Sequence, residues 1–235
     1  MTGDLEPESN RGSGGPSSTP RAEWRVEAQK LADELRAISL ALAANELDAA
    51  GLRQATELAQ QIRVRLDRPR RGRWYDGDAG AATWRSESRQ AYFDQSPVRG
   101  QLNPIAPPLL TERAERPDGT PIMRGWARLG LAYEGPPRGV HGGWVAALFD
   151  DLLGATQGLA DRPGVTGILE VKYRAITPLD RDLRFEGWIS EDRGRRIIAR
   201  GSCHAGATLT ADAKAMFVRV DFNEIERQMR ERATE

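Results

Sequence analysis

The chain has 235 residues, 39% hydrophobic and 29% charged, enough for one generous domain or one domain with an appendage. Lys+Arg and Asp+Glu are 34 each, and the resulting zero net charge argues against a dedicated nucleic-acid binder. A single cysteine, Cys203, excludes an internal disulfide and a Cys-based zinc cluster; two histidines, His141 and His204, leave no material for a multi-His site, so no metal or other cofactor is expected.

Residues 1–21 are rich in Ser, Gly, Pro and charge and carry almost no apolar side chains. Such a segment cannot bury enough surface to offset its ordering entropy and is expected to be a disordered tail. It contains no apolar core of a secretory signal, and nowhere does the chain approach the ~20 apolar residues of a membrane-spanning helix. The expectation is a soluble, cytoplasmic protein without a membrane span.

Over 22–67, Trp24, Val26, Ala28, Leu31, Leu35, Ile38 and Leu42 recur at helical spacing. Asn45-Glu46-Leu47-Asp48 interrupts, Asp48 is placed to N-cap a second run, and Leu52, Ala55, Leu58, Ala59, Ile62, Val64 and Leu66 lie mostly on one side of it. The spacing predicts a helical hairpin. Residues 68–108 combine Arg68–Arg73, scattered aromatics and a proline-rich stretch ending at Pro107-Pro108, which predicts an irregular linker wrapping the main domain.

From 109 to 222 the pattern is strand, one helix, then strands, with a short helical tail expected over 223–235. Met123, Gly125, Ala127 and Leu129 alternate with Arg124, Trp126 and Arg128; Leu169, Val171 and Tyr173 with Glu170, Lys172 and Arg174; Leu183, Phe185, Gly187 and Ile189 with Arg184, Glu186 and Trp188. Two further strand-like runs follow at about 195–207 and 209–221. Period-two alternation marks half-buried strands of an antiparallel sheet. The outward Trp126 and Trp188 are expected to pack under the N-terminal hairpin. Residues 144–160 are apolar nearly all round and predict one buried helix.

Chemistry concentrates at the start of that helix. Gly135-Pro136-Pro137 ends a strand, and His141-Gly142-Gly143 leads into the helix, whose first N–H groups have no internal partner and form a site for an oxyanion. Asp150 and Asp151 fall in the most apolar helix, where a buried carboxylate is costly unless paired or used. They point ~100° apart and cannot share a role. Asp150 shares a stripe with Gly143, Ala146, Ala147 and Gly154, all small, and is the candidate functional acid; Asp151 is the structural one. His204 reads as a surface residue and Cys203 as a core thiol.

The run GPPRGVHGGWVAALFD at 135–150, followed by Thr166-Gly-Ile-Leu-Glu-Val-Lys-Tyr-Arg and Pro178-Leu179, resembles the hotdog-fold acyl-CoA thioesterases, in particular the PaaI-like branch that includes the mammalian thioesterase-superfamily members. The resemblance covers about 109–221 and none of the first 108 residues. It implies an α+β fold, an antiparallel sheet curled around one long central helix, here with an N-terminal helical extension. It implies a homodimer or dimer of dimers that hydrolyses acyl-CoA of fatty acid metabolism. By resemblance, the Gly142 amide polarises the thioester carbonyl and Asp150, supplied across the dimer interface, is general base or nucleophile. Thr166 holds the attacking water or the carboxylate, and His141 orders the turn near the thioester. Gly143 lies against the substrate, and Lys172, Arg174, Arg195 and Arg196 meet the CoA phosphates. Some relatives have Asn where this chain has Gly135, so that side-chain contribution is absent. Two alternatives stay open: a hotdog acyl-thioester hydratase or dehydratase, and a non-catalytic acyl-CoA-binding dimer.

Overall fold

A computed structural model describes residues 19–68, 86–160 and 164–220. Of the expected tails, only Thr19–Arg21 fall within it, opening the first helix; 1–18 and 221–235 lie outside the described residues, as does the basic run beyond Arg68. The elements are α1 (Thr19–Ala44), α2 (Ala49–Leu66), α3 (Ser86–Gln95), β1 (Leu110–Glu115), β2 (Pro121–Arg128), α4 (Gly142–Thr156), β3 (Gly164–Tyr173), β4 (Asp182–Arg193), β5 (Arg196–Ala205) and β6 (Thr208–Arg219). Short 3-10 turns cover Leu131–Tyr133 and Gln157–Leu159.

The six strands form one antiparallel sheet in the order β1-β2-β4-β5-β6-β3. β4, β5 and β6 are joined by tight turns, with Gly194 (φ +54°) and Gly206 (φ +60°) supplying the left-handed backbone. The segment 190–194, between the alternating run ending at Ile189 and the next strand-like run, is mostly strand: β4 runs to Arg193 with a pairing irregularity between Ile189 and Glu191. β1 escapes sequence pattern because LTERAE has no apolar alternation; it is an outer strand, partly exposed along its length.

α4 lies across the inner face of the sheet. Val145, Leu148, Phe149, Leu152 and Leu153 are buried against Leu183, Phe185, Ile197, Cys203, Ala215 and Phe217 from the strands, and Phe149 meets Phe185 edge-on at 5.4 Å between ring centres. Close seating is permitted by small residues. Gly187, Gly201 and Ala213 pair in register across β4, β5 and β6. A Cβ on Gly187 would stand 2.2 Å from Thr156 Oγ1, and one on Gly201 3.2 Å from Leu153 Cδ2.

The N-terminal region departs from expectation in three ways. α1 and α2 form as predicted, and Asp48 caps α2 by accepting from the Gly51 N–H at 2.7 Å. Yet α1 makes its extended contact with the Leu131–Tyr133 turn, not with α2, and α2 buries no residue at all. The two are consecutive helices, not a packed hairpin. Second, the expected irregular linker contains α3, followed by turns through 96–109 that lie on the sheet domain, with Leu102, Ala106 and Leu109 buried. Third, Trp188 is covered by the guanidinium of Arg116 from the β1–β2 turn, 4.3 Å above its ring, and not by the N-terminal helices.

The seating of α4 gives a test. Gly187→Ala forces Thr156 and the helix off the sheet, and overpacking of this kind costs ~1–3 kcal/mol. Urea denaturation is expected to show a lower midpoint with an unchanged slope.

Candidate functional site

The loop before α4 is built around His141. Gly135 N–H donates to the Gly139 carbonyl at 2.9 Å, His141 N–H to the Tyr133 carbonyl at 2.9 Å, and Val140 N–H to the Thr177 carbonyl at 2.8 Å. A Cβ at Gly135 would lie 2.6 Å from His141 Cα, so only glycine lets the two limbs of the loop close. His141 then N-caps α4, its Nδ1 accepting from the Gly143 N–H at 3.0 Å. A neutral ring that accepts at Nδ1 carries its proton on Nε2. The capping takes up the Gly143 amide. Among the described residues no acceptor takes the Gly142 N–H, which is the free donor of this helix end. Tyr173 from β3 donates its hydroxyl to the Gly142 carbonyl at 2.8 Å, and its ring lies 3.2 Å from where a Gly142 side chain would begin.

The two aspartates divide as their ~100° separation requires, and only one of them is turned inward. Asp150 is exposed, on the uncovered stripe of α4 with Gly143, and its Oδ1 accepts from the Thr166 hydroxyl at 3.0 Å. Asp151 is the inward one, its side chain 12% exposed. Burial pushes the Asp151 carboxyl above its ordinary range, and the Arg99 guanidinium opposes that shift through a 2.5 Å contact from Nε to Oδ2. The apolar composition of the helix signals a buried acid; which of two neighbours is buried depends on the angle at which α4 meets the sheet.

Of the residues singled out from sequence, Asp150 with Thr166 forms one cluster and His141, Gly142 and Gly143 another. They are separated along α4 by the eight residues from 142 to 150, ~12 Å at 1.5 Å per residue. The four cations are not brought together. Lys172 sits opposite Asp212 and Arg196 opposite Val218, six residues apart along β6, or ~20 Å. Arg174 is already engaged, Nε to Asp212 Oδ2 at 2.5 Å, while Lys172, Arg195 and Arg196 are exposed. Two participants were not legible in the sequence: Arg99, in a stretch without periodicity, and the Tyr173 hydroxyl, whose residue reads as one more apolar strand position.

Among the described residues no group of His, Cys, Asp and Glu is placed to hold a metal ion, and no helix is long and apolar enough to cross a membrane. Cys203 is fully buried, and burial pushes its thiol up to about 11. It is therefore a core group, not a nucleophile. Native protein at pH 8 is expected to resist thiol-reactive dyes, with stoichiometric labelling only after unfolding.

No protein-family model matches the sequence, and no curated protein matches it either. Solved structures do. A crystal structure of a thioesterase superfamily protein matches over 81% of this chain and 90% of its own, with 28% identity and a TM-score of 0.68. Residues 109–235 are just over half of the chain, so this match also takes in part of the helical N-terminal region. Thioesterase superfamily member 2 from Mus musculus matches 47% of this chain and 80% of its own at 13% identity and TM-score 0.41. A hypothetical thioesterase with coenzyme A from Streptococcus pneumoniae matches 47% and 87% at 17% identity and TM-score 0.42. The sheet curled around α4 is the hotdog fold, and the chain is similar to thioesterase superfamily proteins with that fold.

Proposed function

We propose that the protein is an acyl-CoA thioesterase of the PaaI-like kind, working as a homodimer. The observation that carries the reading is the pairing of Asp150 with Thr166 on α4 and β3, on the same helix as an N-terminal Gly142 N–H that finds no acceptor among the described residues. In this reading the thioester carbonyl oxygen accepts from the Gly142 N–H, which stabilises the negative charge that develops on attack. Asp150, oriented by Thr166, takes the proton of the attacking water or attacks the carbonyl carbon itself. His141 holds the loop and ties up the Gly143 amide so that the Gly142 amide alone faces the oxygen, with Gly143 lining the approach.

A reacting carbon must lie ~3 Å from both nucleophile and oxyanion donor. The ~12 Å between Gly142 and Asp150 within one chain rules that out for a single copy. A two-fold axis would set the Gly142 of one subunit against the Asp150 of the other. The β3 edge is the surface suited to it: an unpaired strand flank with Val165, Ile168 and Tyr173 40%, 51% and 55% exposed. The small stripe on α4, Ala146, Ala147 and Gly154, leaves room for a close approach.

A hydratase would need a histidine base. The Nδ1 of His141 is occupied and its Nε2 carries the proton, which favours hydrolysis by Asp150. For the CoA phosphates, Lys172 is the residue best suited, exposed and without an ion-pair partner among the described residues; Arg174 shares its charge with Asp212, and Arg195 and Arg196 belong to the far end of the sheet.

Release of free CoA from short, long and aromatic acyl-CoAs tests the reading. Asp150→Asn is expected to lose at least ~100-fold in kcat with the fold intact, on the scale of general-base removal. Wild-type turnover in Asp150→Asn would overturn the mechanism, and binding of acyl-CoA without turnover by the wild type would make the protein a binding dimer. Sedimentation at micromolar concentration is expected to give at least a dimer; a fully active monomer would contradict the shared site. Lys172→Ala is expected to lose efficiency mainly on acyl-CoA and little on acyl-pantetheine, the more so at low salt.

A further inference from the structure

We propose that Arg99, contributed by the segment that precedes the sheet, is a positioning residue for the Asp150 site, and that α1 latches that segment in place. The proposal rests on the reading of Asp150 given above.

Consecutive acids grip α4 from two sides. Asp150 reaches β3 through Thr166 at 3.0 Å, and Asp151 reaches Arg99 at 2.5 Å. Arg99 also donates through Nη2 to the Asp151 carbonyl at 2.7 Å, so it holds helix backbone as well as side chain. A helix is rigid about its axis, and rotation of α4 that relaxes one contact draws the other off its partner. The Arg99 side chain is only 12% exposed, and its guanidinium stacks on Phe93 with 5.0 Å to the ring centre, which leaves it little freedom. The pair is a fixed post, not a surface contact of the kind worth little.

The segment carrying Arg99 is itself anchored from outside. Ser96 Oγ accepts from the Val98 and Arg99 N–H groups at 3.3 and 3.2 Å. Buried Asp94 receives Arg25 of α1 through both carboxylate oxygens, at 2.8 and 3.0 Å, and Gln90 at 2.8 Å. Arg36, further along α1, donates to the Gln101 and Asn103 carbonyls at 3.0 and 2.7 Å. Two arginines of one helix thus hold both ends of 94–103, and the middle of that stretch holds α4.

The arrangement is electrostatic as well as mechanical. The charged and titratable groups facing Asp151 are Arg99, the Tyr92 phenol and Asp150. Without the guanidinium, Asp151 either keeps its charge and repels Asp150, or takes up a proton and leaves Asp150 without the nearby cation. The first outcome sets an unpaired negative charge beside Asp150; the second leaves a neutral side chain there.

The test uses full-length protein and the pH dependence of kcat/KM on an acyl-CoA that the wild type turns over. Arg99→Gln is expected to lower kcat about tenfold or more, since small misplacement of a reacting group has effects of that size. KM should change little, and the acid limb of the profile should move to higher pH. The neutral pair Arg99→Gln/Asp151→Asn, which removes the unpaired charge but does not restore the hold on α4, is expected to bring the acid limb back while kcat stays low; Arg99→Lys, which keeps the charge but not the fork, should leave the limb in place. A folded Arg99→Gln with wild-type kcat and acid limb, altered only in melting temperature, would overturn the proposal. If Arg99→Gln does not fold, the remote Arg25→Ala/Arg36→Ala variant decides: lower kcat with a raised acid limb supports the latch, and an unchanged profile overturns it. Wild type without turnover on any acyl-CoA fails the thioesterase reading and takes this proposal with it; turnover by the wild type and an indifferent Arg99→Gln fails this proposal alone.

Discussion

The depth at which α4 sits against the sheet fixes the positions of the polar groups that the helix carries. That depth is set by absent side chains. With Gly187 and Gly201 beneath it, the helix brings Phe149, Leu152 and Leu153 down among the strand residues, and Thr156 fills the space over Gly187. The helix cannot slide or turn without a clash on one side and a void on the other, and close-packed interiors tolerate neither. Once the apolar face is committed, the directions of residues 142, 143, 150 and 151 are no longer adjustable.

Two different solutions to the cost of a carboxylate follow from that commitment. Asp150 leaves the core on the exposed side and needs only a hydroxyl to orient it. Asp151 is turned inward and is held by a guanidinium that is nearly as buried as itself. Breaking a buried pair of this kind by removing one partner is strongly destabilising, because the other charge stays behind. The residue that supplies the charge, Arg99, comes from outside the sheet-and-helix unit. The match to a solved thioesterase superfamily protein covers 81% of this chain, more than the sheet-and-helix unit alone.

The uncovered surfaces of the chain are also consequences of the helix seat. With its apolar face spent on the sheet, α4 presents small residues and Asp150 outward, and β3, at the end of the strand order, presents an unpaired flank. α2 remains apart from both, with Leu52, Leu58, Val64 and Leu66 42%, 61%, 64% and 54% exposed.

The sequence by itself determined the local alternatives. Period-two alternation over 121–129, 169–173 and 182–189 and the apolar run over 144–160 suffice for an antiparallel sheet with one helix, and Asp48 and His141 can be read as helix starts because capping is a contact between residues two or three apart. The same locality makes 135–150 readable as the place where chemistry gathers. What only the tertiary structure decided involves residues far apart in the chain. β1 carries no pattern because an edge strand has little to bury, and α2 shows a periodicity that finds no partner among the described residues. Arg99 meets Asp151 across fifty-two positions, and the burial of Asp151 in place of Asp150 follows from the angle of α4 on the sheet. Lys172 and Arg174 share a strand face with an alternation that is plain in the sequence, yet their distance from Arg195 and Arg196 is set by strand order, which alternation along one strand does not encode.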